Sequence, residues 1–307
     1  MIFGSMLGGW MRAAWALIRD SVLEWVNDRA SRKGAALAFY TVFSLAPILV
    51  LAIAIAGFFF GEDAARGEIF TQVRELLGPE GARAVQALIQ NANRPEAGAL
   101  ATLVGFVTLL VGATTALAEL KDGLDQIWHA PPERTSGFWY FLRKRLLSVG
   151  LILSLGFLLL VSLVLSAVLA AISRTWGPQE MTTAMVLQAL NALFSFGLVV
   201  LLFAMIYKIL PAVSIAWRDV IVGAVVTAAL FSVGKIMIGL YLGNSAVAST
   251  YGAAGSIILV LIWVYYSTQI FLLGAEFTKV YAYRYGSRRG SPQPSHAPPR
   301  AVRERVT

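Results

Sequence analysis

Apolar and polar positions along this chain separate into long blocks. Six nearly charge-free apolar runs lie at Ala38–Phe60, Gly98–Ala118, Leu146–Ile172, Thr183–Ile209, Val220–Leu242 and Gly255–Ala275. A helix of about 20 apolar residues crosses a hydrocarbon core of about 30 Å, so each run is long enough to span. The pattern predicts an all-α polytopic membrane protein with six transmembrane helices occupying residues 38–275.

The segment ahead of the first run is patterned differently. Met11, Trp15, Ile18, Val22 and Trp25 recur at spacings of four and three, on one face of a helix. Arg12, Arg19, Asp20 and Glu24 fall off that stripe. Residues 1–37 are therefore expected to form an amphipathic helix that either lies on the membrane surface or packs under the bundle. Between the first two runs, Ile69, Phe70, Val73, Leu76 and Leu77 form one helical pattern, and Ala84, Val85, Leu88 and Ile89 form another. Gly78–Pro79 breaks them, which predicts an external helical hairpin over residues 61–97. From Gly286 the tail is rich in Gly, Ser, Pro and Arg without periodicity, and is expected to be disordered.

Charge sets an orientation. Only 14% of residues are charged, against about 25% in soluble domains, as expected for apolar surface facing lipid. The net charge of +8 arises from segments that alternate along the chain. The N-terminal segment, the loops after the second and fourth runs, and the tail hold 19 Lys and Arg residues, while the opposite loops hold five. Positive residues are retained on the cytoplasmic side, so both termini are expected there, in a bacterial inner membrane. The basic balance is then a topology signal, and no nucleic acid is expected. The N-terminus lacks a compact cleavable signal pattern, and the first span is expected to act as its own anchor. There is no cysteine, which excludes disulfides and thiolate metal sites.

Few polar groups interrupt the spans. Lys235 is the charged residue set well inside one, and an ionisable group at depth is a functional candidate by default. Its long stem also permits snorkelling to the outer interface. Gln188, Asn191, Thr108, Tyr241 and Tyr251 are candidate partners at its level, a Lys235–Asn191 layer in particular. Glu119, Glu276 and Asp125 form a second candidate layer at the cytoplasmic side, near Lys121, Asp122 and Lys279, readable either as structural ion pairs or as a substrate or proton site. Trp128, Trp139 and Tyr140 fit an aromatic belt at the interface. Pro47 removes a backbone donor mid-span and is expected to kink the first helix.

Enzyme signatures are missing: two histidines cannot build a clustered metal site, and neither a P-loop nor a nucleophile elbow occurs. No enzymatic activity and no cofactor are expected.

Several stretches in order along residues 30–285 resemble the YihY/BrkB family of bacterial inner-membrane proteins. They are Ala35–Pro47 (AALAFYTVFSLAP), Thr114–Trp128 (TTALAELKDGLDQIW), Leu210–Pro211, Trp217–Arg218, Gly223–Ala224, Gly234–Lys235 with Tyr241, Tyr251–Gly252, Trp263 and Leu272–Glu276 (LLGAE). One departure is Asp125, where the family tends to read Asn. Members carry virulence-factor and ribonuclease labels, and the ribonuclease label finds no support in these residues. The resemblance adds weight to Lys235, Tyr251 and Glu276. Two readings follow: a transporter or translocator of a lipid or envelope-related amphiphile, or a non-transporting scaffold for envelope assembly. Membrane lipids are the expected partners, with a homo-oligomer or envelope-assembly proteins as further candidates.

Overall fold

The computed structural model describes residues 2–61, 115–131, 181–244 and 255–291, together with single positions between 63 and 86. Every regular element among the described residues is helical: α1 (Ile2–Asn27), α2 (Ala30–Phe60), a stretch over 115–127, α3 (Met181–Ile209), α4 (Trp217–Asn244) and α5 (Gly255–Arg284). Three of these, α3, α4 and α5, carry stretches long and apolar enough to cross a membrane, at Ala192–Ile209, Trp217–Tyr241 and Ile257–Arg284. The run Leu146–Ile172 and all but the end of Gly98–Ala118 lie outside the described residues. In the loop expected to form a hairpin, the described positions 69–71, 73, 74, 82, 83, 85 and 86 are helical.

The helices overrun the apolar runs that predicted them. α2 begins at Ala30 and α5 continues to Arg284, because helical hydrogen bonding persists where one face turns polar and finds protein partners. α2 continues as a helix across Pro47. Residues 285–291 are docked, contrary to the expectation that disorder starts near Gly286. Ser287 donates its N–H (3.0 Å) and its Oγ (2.6 Å) to Asp219 Oδ2, a buried carboxylate in the first turn of α4. Arg288 donates to the Ser214 carbonyl and lies over the rings of Trp128 and Tyr283. Trp128, expected at the interface, is buried in this contact instead. Residues 292–307 lie outside the described residues.

α5 is the hub of the described elements, packing against α1, α2 and α4, while α4 also packs against α3. Close approach of α4 and α5 depends on glycine. A Cβ on Gly223 would strike Thr278, and one on Gly274 would strike Thr227 and the Tyr207 hydroxyl. Small residues at such crossings substitute van der Waals contact for the hydrophobic drive that lipid does not supply. The threonines stay satisfied: Thr227 donates to the Gly223 carbonyl and Thr278 to that of Gly274, each at 2.7 Å. Tyr207 of α3 donates to the Phe271 carbonyl at 2.7 Å and lies 3.1 Å from Thr227 Oγ1, among the rings of Phe203 and Phe271. This end of the α3–α4–α5 junction is buried and closely packed. Toward the other end, Val73, Ala82 and Val85 pack with Ala38, Val42, Ile238, Leu259 and Val264 in a second core.

Glycine substitution separates contact from helix propensity. Gly274→Val should lower stability by about 1–3 kcal/mol or more through overpacking. Gly239→Val on α4, where an added Cβ meets nothing within 4 Å, should be close to neutral. Thermal unfolding of both variants in detergent checks this; equal losses would mean that the α4–α5 approach is not tight.

Candidate functional site at the α1–α5 clasp

α1 turns its polar face inward. Asp20, Glu24 and Asp28 recur every four residues, so they stand one above another on one side of the helix. The opposite side leaves Met11, Trp15, Ile18, Val22, Leu23 and Val26 exposed, with Trp15 at 68%. Of the predicted stripe only Trp25 turns in, packing against the core of the bundle. Such an exposed apolar face with tryptophan belongs in an interface plane. Arg29 links α1 to α2 in the left-handed region (φ 52°), a strained turn that places Asp28 at 4% exposure against α5.

The acidic face meets two cations of α5. Arg284 donates to Asp20 Oδ2 at 2.7 Å, at the exposed edge. Deeper in, Lys279 Nζ lies 2.8 Å from Glu24 Oε2, 3.6 Å from Asp28 Oδ2 and 3.6 Å from Glu276 Oε2. Lys279 and Glu276 are both essentially inaccessible to solvent. Neither oxygen of Glu276 accepts a hydrogen bond among the described residues. Oxygens of Glu24, Asp28 and Glu276 lie within 4.8 Å of one another, a spacing suited to a shared cation. The Lys279 ammonium already sits among them, so the seat a metal ion would take is filled from within the chain. Three acidic side chains thus gather around one ammonium in a largely buried setting. Beside the cluster, a cavity of about 450 Å³ is lined by Asp20, Leu23, Glu24, Asn27, Val280, Tyr283 and Arg284.

The expected inner layer is thus divided. Glu276 belongs to the clasp, whereas Asp125 does not. Asp125 pairs with Lys121 one turn away and accepts the N–H of Ala212 at 2.6 Å, tying the 115–127 stretch to the turn after α3. Glu119 is half-buried on that same stretch and stands outside the clasp. The stretch is also joined to the α1–α2 region by Gln126, which donates to the Asp28 carbonyl.

The other expected layer is only partly described. Lys235 is half-buried, beside Gly234, which faces Tyr266 and Ile270 of α5. Those contacts set it roughly 9–15 Å along α5 from Glu276, at a rise of about 1.5 Å per residue. Among the described residues it has no hydrogen-bond or ion-pair partner. The side chains of Asn191 and Gln188, on α3, and the whole of Tyr251 and Thr108 lie outside the described residues. Tyr241 does not join an interior layer: it is exposed, because six residues of helix turn it about 120° away from Lys235.

Sequence reasoning missed Glu24, Asp28 and Tyr207. The four-residue spacing of Asp20, Glu24 and Asp28 opposite the tryptophan stripe was the available signal for the first two.

A family profile described as Virulence factor BrkB matches residues 22–299, taking in α2 to α5 and the clasp residues. The chain belongs to this BrkB family. Its relatives include UPF0761 membrane proteins from Stenotrophomonas maltophilia (strain K279a), 28% identical over 264 residues, and from Pseudoalteromonas atlantica, 27% identical over 285 residues. The first alignment covers 85% of this chain and 59% of the relative; the second covers 91% and 90%. Another, from Neisseria meningitidis serogroup B, is 27% identical and covers 90% of this chain and 65% of the relative. The chain spans about three fifths of the length of the Stenotrophomonas relative. No solved structure matches. This BrkB-family chain is a membrane protein.

Removing the ammonium leaves three carboxylates facing one another. Lys279→Met should cost about 3–5 kcal/mol, the usual penalty for orphaning a buried charge. Adding Glu24→Gln should recover part of it. Thermal unfolding with limited proteolysis of α1 checks this; an unchanged midpoint and an uncleaved α1 in Lys279→Met would show that the clasp holds nothing.

Proposed function

We propose that this BrkB-family chain is a non-enzymatic transporter or translocator of a lipid or envelope-related amphiphile in a bacterial inner membrane, with both termini cytoplasmic. The observation that carries the reading is the clasp: Glu24, Asp28 and Glu276 around Lys279, buried at the end of a membrane-length helix. Ionisable groups are retained at such depth mainly where they handle ions or substrate. Lys235, one face away from the exposed apolar stripe of Val233, Ile236, Met237 and Leu240, supplies a second charge further along α4. Among the described residues the α3–α4–α5 junction is closely packed, so the path proposed runs along the α1 side of α5 and past Lys235. The scaffold reading draws on that same packed junction and assigns the clasp a purely structural role.

Proteoliposomes with NBD-labelled phosphatidylethanolamine separate the two. The transport reading expects the dithionite-accessible fraction to rise above that of protein-free vesicles, and Glu276→Gln and Lys235→Met to reduce the rate about tenfold while remaining folded. A signal equal to empty vesicles would overturn transport of this probe. For orientation, alkaline phosphatase fused at Glu80 should be active and at Gly137 inactive; the reverse would invert the proposed topology.

A further inference from the structure

The turn joining α3 to α4 gathers positive charge that no ion pair neutralises among the described residues. Lys208, in the last turn of α3, donates to the Ile215 carbonyl and holds its ammonium 5.7 Å from the centre of the Trp217 ring. Arg288 donates to the neighbouring carbonyl, that of Ser214, at 2.9 Å. A carbonyl and a ring accept from these cations but carry no net charge to offset them. Arg218, at the start of α4, is exposed and has neither a hydrogen-bond nor an ion-pair partner for its side chain among the described residues. Two carboxylates are tied to this turn, and both are occupied. Asp219 is buried and accepts from Ser287, while Asp125 pairs with Lys121 and accepts the Ala212 N–H. From the charged turn an apolar face runs along α3 and α4, where Ile209, Trp217, Ile221 and Val225 are all exposed. Trp217, Ile221 and Val225 recur every four residues, and Arg218, three before Ile221, stands at the head of the same stripe.

A helix of membrane length presents such a stripe to acyl chains, and a tryptophan at its end marks the headgroup level. Arg218 and Lys208 then stand at the depth of the lipid phosphate. We infer that the α3–α4 turn is a binding site for an anionic phospholipid headgroup of the phosphatidylglycerol type, with acyl chains lying over Ile209, Ile221 and Val225. The guanidinium offers the phosphate a forked pair of donors, and the ammonium adds a second positive charge. A zwitterionic head brings an ammonium of its own among these cations and is disfavoured. The site lies on the lipid-facing side of α3 and α4, apart from the α1 side of α5. It holds a lipid whether or not the protein moves one, so it stands apart from the transport reading.

Native mass spectrometry of the full chain in detergent, with equal amounts of phosphatidylglycerol, phosphatidylethanolamine and phosphatidylcholine, tests the assignment. Retention of phosphatidylglycerol over the other two by about tenfold is expected, the value of one charge-assisted hydrogen bond. Arg218→Gln should lower that preference severalfold without shifting the thermal midpoint, because the side chain engages no protein partner. Arg74→Gln removes the same charge from an exposed position in the loop after the first apolar run and should keep the preference. Soluble glycerol phosphate at the same concentration should not displace the lipid, since it lacks the acyl chains. Equal retention of the three lipids, an unchanged preference in Arg218→Gln, an equal loss in Arg74→Gln, or displacement by the soluble head would each overturn the assignment.

Discussion

A buried ammonium in a membrane protein must be surrounded by acceptors, and in this chain that requirement joins the two ends of the sequence. Lys279 lies 255 positions from Glu24, yet their 2.8 Å contact fixes where α1 crosses α5. From that contact follow the inward acidic face of α1, the outward tryptophan face and the cavity beside them. Any rotation of α1 that removed Glu24 and Asp28 from Lys279 would bury Trp15 and expose carboxylates to lipid. Pairing and amphipathicity therefore enforce the same orientation.

The α4–α5 crossing illustrates the complementary rule for neutral residues in lipid. Gly223 and Gly274 allow backbones to approach, and the threonines opposite them satisfy their hydroxyls on their own helices. Among the described residues, the hydroxyls at this crossing are taken up within the protein. The polar resources of the described structure are concentrated where α5 leaves the apolar region, at Glu276, Lys279 and Arg284. Chemistry and packing are divided along the length of one helix.

Helix positions were legible in the sequence because hydropathy reports directly on lipid contact. The runs at Thr183–Ile209 and Val220–Leu242 lie inside α3 and α4, and the stripe Met11–Trp15–Ile18–Val22 is the exposed face of α1. Glu276 was also recognisable, as a carboxylate at the end of an apolar run. Its partners were not. Periodicity places Glu24 on a face but says nothing of what that face meets, and Asp125 finds the Ala212 N–H 87 positions away. The docking of Ser287 and Arg288 escaped for the same reason: it rests on two side chains and one backbone N–H, and seven residues without a repeat read as a tail.

The most direct test of this account is the orientation of α1. The natural chain contains no cysteine, so single cysteines from Met11 to Val26 can be spin-labelled one at a time in reconstituted membranes. The account predicts oxygen accessibility that oscillates with a period of about 3.6 residues, with maxima at Met11, Trp15, Ile18 and Val22 and a minimum at Glu24. Maxima at Arg12, Arg19 and Glu24, or uniform accessibility to a water-soluble relaxant, would contradict it.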